Sequence, residues 1–210
     1  MKAIIIGAGR GSRLENLTDE VPKTLVSVLG RPMLDQILEA LAFAGFEQQD
    51  IVFISGYRAE VVRERYPGLT FVQNEGWEHN NILGSLLCAR EHLHDGFVST
   101  YADIVYRPEV ARAVRESEHG FALGSDIAWR QRYVGRTHHP ETDAEKLVSQ
   151  AGRVTKLSRH IASEEATGEF IGVMKVDASR VPELLSAYDA AQPEYAAQAK
   201  SERGTCETGE

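Results

Sequence analysis

The sequence has few cysteines, no long apolar run and no excess of positive charge. Only Cys88 and Cys206 occur, too few for a disulfide framework or a cysteine-rich metal cluster. Two lone cysteines fit a reducing compartment. No stretch reaches the roughly 20 consecutive apolar residues that cross a bilayer. The apolar run after Met1-Lys2 is too short for a secretory leader, and no small-residue cleavage site follows it. A cytoplasmic location with no membrane partner is therefore expected. Lys and Arg number 23 against 31 Asp and Glu, a net charge of −8. A nucleic-acid backbone normally needs a basic face, so nucleic acid is not expected as a partner. A nucleotide is a different matter, because a few local cations can hold one.

Two phosphate-binding signatures are also missing. A Walker loop requires Gly-x-x-x-x-Gly-Lys-Ser/Thr, which does not occur. A dinucleotide fingerprint requires a further glycine where Ser12 stands and an acidic residue ending the second strand. Here that strand ends at Ser55-Gly56, which argues against a nicotinamide-dependent oxidoreductase.

What is present is the composition of an ordinary globular domain, 42% apolar and 26% charged over 210 residues. Short apolar runs alternate with amphipathic stretches. Ala3-Ile4-Ile5-Ile6 and Ile51-Val52-Phe53-Ile54 read as strands buried on both faces. Thr70 to Val72 and Phe97 to Tyr101 read as two more. Helices are expected over 32–46, 59–66, 81–94 and from Pro108. Such alternation predicts a mostly parallel sheet covered on both faces. The second half is more β-rich. Strands are expected at 121–125 and 170–176, and a hairpin turns at Gln150-Ala151-Gly152-Arg153. A helix over 178–190 closes the pattern. One domain over 1–190 is expected, followed by a polar, poorly ordered tail over 191–210.

The chemistry starts directly after the first strand, in Gly7-Ala8-Gly9-Arg10-Gly11-Ser12-Arg13-Leu14. Glycines at this spacing let backbone approach a ligand and aim N–H groups at phosphate oxygens. α/β sheets place their ligands beyond the carboxyl ends of their strands. Further on, Lys23 follows Pro22, whose ring stiffens the chain before it.

Three motifs in order resemble the nucleotidylyltransferases that activate sugar phosphates and phosphocholine. They are Gly-x-Gly-x-Gly-x-Arg-Leu, then Pro22-Lys23, then Gly30-Arg31-Pro32-Met33-Leu34. The resemblance covers residues 1 to about 190. It implies a three-layer, Rossmann-like α/β fold with a mixed, mostly parallel central sheet. The family's usual Ala-Ala-Gly opening is Gly7-Ala8-Gly9 here. Since Gly and Ala are both small, the glycine is expected to be tolerated there.

The same resemblance implies roles for single residues. Backbone at Gly7, Ala8, Gly9, Gly11 and Ser12 would hold the nucleotide. Arg13 would take the leaving pyrophosphate, its planar fork suiting bidentate phosphate contacts. Lys23 would neutralise the α-phosphate. Asn81 and Ser85, one turn apart on a helix, would contact base, ribose or acceptor, and Asn81 could also cap that helix. Asp103, ending the fourth strand, and Glu169, in Gly168-Glu169-Phe170-Ile171-Gly172, would bind Mg²⁺. A turn-starting Asp and a solvated Glu are the plain alternatives.

For the acceptor, Ser125-Asp126-x-x-Trp129, Tyr133-x-Gly135-Arg136 and Ala144-Glu145-Lys146 look more like phosphocholine and phosphonate cytidylyltransferases than like sugar enzymes. Trp129 and Tyr133 have two readings, as packing residues or as a face for a quaternary ammonium with Asp126 opposite in charge. Arg136 and Lys146 offer positive charge to a phosphate or phosphonate. His138 and His139 read as loop residues and not as a zinc site. The implied reaction is transfer of CMP from CTP to phosphocholine, 2-aminoethylphosphonate or a hydroxyalkylphosphonate, with release of pyrophosphate. Sugar-1-phosphate transfer and a non-catalytic nucleotide-binding module are the alternatives. A homodimer is compatible with either reading.

Overall fold

The computed structural model describes residues 1–79, 81–136 and 140–204, with side chains left out at 12–13 and 193–204. The chain builds one eight-stranded sheet. Its first half supplies β1 (Lys2–Gly7), β4 (Ile51–Ser55), β5 (Thr70–Gln73) and β6 (Phe97–Tyr101). A small separate hairpin joins β2 (Ser27–Val28) to β3 (Arg31–Pro32). The second half supplies β7 (Phe121–Asp126), β8 (Lys146–Gln150), β9 (Arg153–Leu157) and β10 (Gly168–Val176). The order is β5-β4-β1-β6-β10-β8-β9, with β7 paired to β10.

The sheet is mixed and mostly parallel. Strands β5, β4, β1 and β6 pair in parallel. Strand β10 reverses against β6 and pairs antiparallel with β7 and β8, so both of these point with the parallel set. Only β9 reverses again, in its hairpin with β8. The expected turn there is a two-residue one, with Ala151 at φ 49° and Gly152 at φ 77°, the twist that matches a hairpin.

Alternation along β1 sends side chains to two cores, as a strand's period of two requires. Ala3 and Ile5 pack with Leu34, Ile37 and Leu41 of α1 (Met33–Phe43), Val62 of α2 (Ala59–Arg65) and Val114 of α4 (Pro108–Glu116). Ile4 faces the other way, against Leu86 of α3 (Ile82–Cys88) and Leu185 of α6 (Val181–Gly204). Helices on both faces make three layers. Each fully buried Ile or Leu contributes roughly 1.5–3 kcal/mol of transfer free energy.

Several boundaries differ from the sequence pattern. Pro32 pairs with Ser27 in β3 and stands before α1 in extended conformation. Helix α1 ends at Phe43, and Gly45 turns left-handed at φ 84°. The Phe46 N–H then bonds to the Leu41 carbonyl, closing the last turn. The helix expected over 81–94 stops at Cys88. A tighter 3₁₀ turn, Arg90–His92, replaces its second half. Overwinding there keeps Ala89 and Leu93 against the sheet, 1% and 0% exposed. The last helix crosses residue 190, where the sequence placed the domain's end.

Gly7 stands where its neighbours leave no room for a Cβ. A Cβ at Gly7 would lie 2.4 Å from the Phe53 ring and 3.0 Å from the Ala102 methyl. Phe53 of β4 fills the space that an alanine would need. Gly7→Ala is expected to destabilise the fold by about 1–3 kcal/mol through overpacking. Urea unfolding should show the loss shrinking when Phe53→Leu is added. Equal losses in both backgrounds would refute the clash.

Candidate functional site

Strand β1 lies between β4 and β6, so the glycine loop leaves the sheet in the middle of its carboxyl edge. Neighbouring backbone pins it there. The Tyr57 N–H donates to the Ala8 carbonyl at 2.8 Å, and the Ala102 N–H to Ile6 at 3.0 Å. A Cβ at Gly56 would fall 2.5 Å from the Ala8 oxygen, so a larger residue there would push the loop away.

Gly11 does the same for a side chain. It is left-handed at φ 71°, and a Cβ on it would come within 3.0 Å of three carbons of the Lys23 stem. Lys23 opens a short 3₁₀ turn, Lys23–Leu25, behind Pro22. Its stem lies over Gly11, and its ammonium reaches Asp103 at 2.5 Å. Residues far apart in sequence thus form an ion pair at the sheet edge, each about one-third exposed.

A cavity of about 210 Å³ opens on this pair. Gly7, Ala8, Gly9 and Gly11 line it. Trp77, Asn81, Ile82, Ser85 and Thr24 line it as well. Asn81 caps α3, its Oδ1 accepting from the Gly84 N–H at 2.8 Å. Ser85 is 7% exposed and accepts from the Asn74 amide at 3.0 Å. The Thr24 hydroxyl is buried with no hydrogen-bond partner among the described residues.

A second cavity of about 970 Å³ adjoins the first and shares Tyr101 with it. Asp126, Tyr133, Arg136, Glu145 and Glu169 line it. Tyr133 donates to Glu169 at 2.6 Å, and the Arg136 guanidinium lies 4.4 Å from the Tyr133 ring centre. Arg132 pairs with Asp126. Burial, reinforced by the Glu169 carboxylate, pushes the Tyr133 phenol up, so it remains a protonated donor.

Tyr101 is the wall between the cavities. Its hydroxyl donates to Glu145 at 3.1 Å, and Arg159 holds the other Glu145 oxygen at 2.9 Å. Phe170 meets the ring edge-on at 6.0 Å. Gly172 lies beneath it at φ 78°, where a Cβ would come 2.4 Å from the ring. Burial first, then the Glu145 charge, raises the phenol's pKa and keeps it a donor.

Residues 3–156 match the MobA-like NTP transferase domain. The chain belongs to that family. Among curated relatives, it is 28% identical over 199 residues to a CTP:phosphoglutamine cytidylyltransferase of Campylobacter jejuni, covering 90% of this chain and 78% of the relative. A 2-aminoethylphosphonate cytidylyltransferase of Lancefieldella rimae is 38% identical over 97 residues, 45% of this chain and 39% of that protein. In three dimensions, the CTP:phosphocholine cytidylyltransferase of Streptococcus pneumoniae superposes with a TM-score of 0.65 at 24% identity, covering 92% and 78% of the two chains. That likeness establishes the shared α/β nucleotidyltransferase fold.

Within this NTP transferase domain, most of the residues expected from sequence come together. Gly7, Ala8, Gly9, Gly11, Lys23, Asn81, Ser85 and Asp103 share the first cavity. Asp126, Tyr133, Arg136 and Glu169 share the second. The side chains of Ser12 and Arg13, and residues His138 and His139, lie outside the described residues.

Two expected acceptor residues are not at either cavity. Trp129 is 2% exposed, with its ring 5.9 Å from Tyr133 in an edge contact. That burial and ring contact fit the packing reading. Lys146 pairs across the sheet with Glu169 but is 2% exposed, its ammonium 3.4 Å from the Glu141 carbonyl. Ile82, at the start of α3, is 40% exposed and lines the first cavity. Sequence reasoning missed Trp77, Tyr101 and Arg159. Tyr101 and Glu145 stand inside motifs that were noticed, beside Asp103 and Lys146, and that proximity was the available signal.

The donor set fits a magnesium ion in part. Asp103 supplies a hard carboxylate oxygen beside the glycine loop, and one carboxylate with ligand phosphates is a normal Mg²⁺ environment. Glu169 opens on the other cavity and is engaged by Tyr133. Among the described residues, no group of three or more acidic, His or Cys side chains forms a metal cluster. None of the described helices is long and apolar enough to cross a membrane.

Proposed function

We propose that the protein transfers CMP from CTP to a small phosphorylated or phosphonate acceptor and releases pyrophosphate. The observation that carries this reading is two adjoining cavities that meet at Tyr101, beside the Lys23–Asp103 pair. One cavity has the backbone-lined glycine loop suited to a nucleotide. The other carries both arginine and carboxylate side chains, suited to an acceptor of mixed charge. The cytidylyltransferases named among the relatives act on phosphoglutamine and 2-aminoethylphosphonate, and both support a small acceptor of this kind.

In this reading, an oxygen of the acceptor's phosphate or phosphonate attacks the α-phosphorus. The bond to the bridging oxygen of the β-phosphate breaks, and pyrophosphate leaves with its electrons. The attacking oxygen is ionised near neutral pH, so no strong general base is needed. Lys23 leaves its contact with Asp103 and neutralises charge on the pentacoordinate centre. Arg13 takes the pyrophosphate. Asp103, with Glu169 as a second candidate, would hold Mg²⁺, which when bound offsets the negative charge of the phosphates. Asp126, Tyr133 and Arg136 orient the acceptor, and the wall at Tyr101 sets its approach to the α-phosphorus.

Pyrophosphate release with Mg²⁺ across CTP, UTP, ATP, GTP and dTTP, each with phosphocholine, 2-aminoethylphosphonate, other phosphonates and sugar 1-phosphates, tests the reading. Acceptor-dependent release with CTP supports it. Nucleotide binding with no release across the panel points to a regulatory module. Lys23→Ala and Asp103→Ala are expected to fold normally and lose a few hundredfold or more in turnover, or roughly 3–4 kcal/mol. Near-normal rates at saturating substrate would remove either residue from the mechanism.

Tyr101→Phe keeps the ring and removes its tie to Glu145. Steady-state kinetics should show the acceptor KM rising by roughly tenfold, as for a lost hydrogen bond to a charged group, with the CTP KM unchanged. An equal rise in both would mean that Tyr101 only supports the fold.

A further inference from the structure

The first cavity has an apolar side with no role yet assigned. Trp77 and Ile82 both line it, together with the glycine loop. Ile82 opens α3 with 40% of its surface exposed, while Leu86 one turn on is buried.

Trp77 is held firmly in place. Tyr57 meets it edge-on, with ring centres 5.6 Å apart. The Tyr57 hydroxyl donates to the Thr18 carbonyl at 3.0 Å, while its N–H holds the Ala8 carbonyl. One residue therefore braces both the tryptophan and the glycine loop. Gly56 lets them approach: a Cβ there would lie 2.7 Å from that of Trp77. On the Trp77 side, Asn74 is 1% exposed and fixes the entering turn, its Oδ1 accepting from the Gly76 N–H at 3.1 Å.

The nearest polar side chains are already engaged in the fold. The Asn81 oxygen caps α3, and Ser85 accepts from Asn74. Trp77 and Ile82 add an indole ring and an aliphatic side chain to the lining. A planar heteroaromatic ring matches such a surface, and a sugar or phosphate group does not.

We propose that Trp77 and Ile82 form the stacking surface for the nucleobase. The inference rests on reading this cavity as the nucleotide site. Stacking is tolerant of base identity because every base has a π-face. Trp77 thus supplies affinity, while discrimination among pyrimidines falls to hydrogen bonds from the loop backbone.

The test uses the full chain and three probes: CTP, UTP and inorganic tripolyphosphate, the last having no base. Trp77→Ala should weaken CTP and UTP alike by roughly five- to a hundredfold, and Trp77→Phe should retain most of the affinity. Tripolyphosphate affinity should be unchanged by Trp77→Ala. The chain has only two tryptophans, and Trp129 lines neither cavity. In a Trp129→Phe background, fluorescence from Trp77 should therefore be quenched as CTP binds. Unchanged CTP affinity in Trp77→Ala, or unquenched Trp77 where calorimetry detects CTP binding, overturns the proposal. Equal loss of tripolyphosphate and CTP affinity also overturns it, because Trp77 would then only brace the loop. No CTP binding to the wild-type protein by calorimetry removes the nucleotide reading itself, and the proposal with it.

Discussion

Two missing methyl groups shape the working edge of this sheet. At Gly7 the space beside the backbone belongs to Phe53, and at Gly11 to the stem of Lys23. The first close approach joins the loop to the core. The second leads a lysine across the loop to Asp103. A side chain at either position would move the glycine loop or the cation, and both of these line the first cavity. The hydrophobic core holds β1 in place, but these contacts set the distances at its end.

The charges around the site are largely balanced within the protein. Lys23 meets Asp103, Arg132 meets Asp126, and Arg159 meets Glu145. All are partly exposed, so solvent screens them and each adds little to stability. Their effect is on geometry. Each pair holds long side chains near the positions a ligand would use and limits the ordering required on binding. A phosphate-bearing ligand must instead compete for Lys23, which favours ligands carrying enough charge to displace a carboxylate.

Much of this architecture was legible in the sequence. Continuous β-branched runs located β1 and β4, and the glycine loop, Lys23 and Asp103 were identified from their motifs and their place at strand ends. Helix α3 was read too long because Ala89 and Leu93 continue a 3.6-residue period that the chain satisfies by a tighter turn. Trp129 kept two readings because residue type does not reveal which side of a five-residue helix meets the core. The importance of Gly7 depends on Phe53, and the setting of Tyr101 depends on Gly172 and Glu145. Those contacts join segments distant in sequence, and no local pattern encodes them.

The register shift in β10 between Phe170 and Met174, where Gly172 stands at φ 78°, also divides that strand. Residues 173–176 pair with β6, while Gly168 and Glu169 pair with β8. Among the described residues, neither core includes any position from 124 to 169. The segment has buried side chains of its own instead, Trp129, Ala144, Leu147 and Ile161, and joins the rest of the sheet through β10. The second cavity therefore has two kinds of wall: Ile104, Tyr106 and Val110 belong to the larger core, while Asp126, Tyr133 and Glu145 come from this segment. Substitutions at the latter three would reshape the cavity while leaving the side chains of both cores in place.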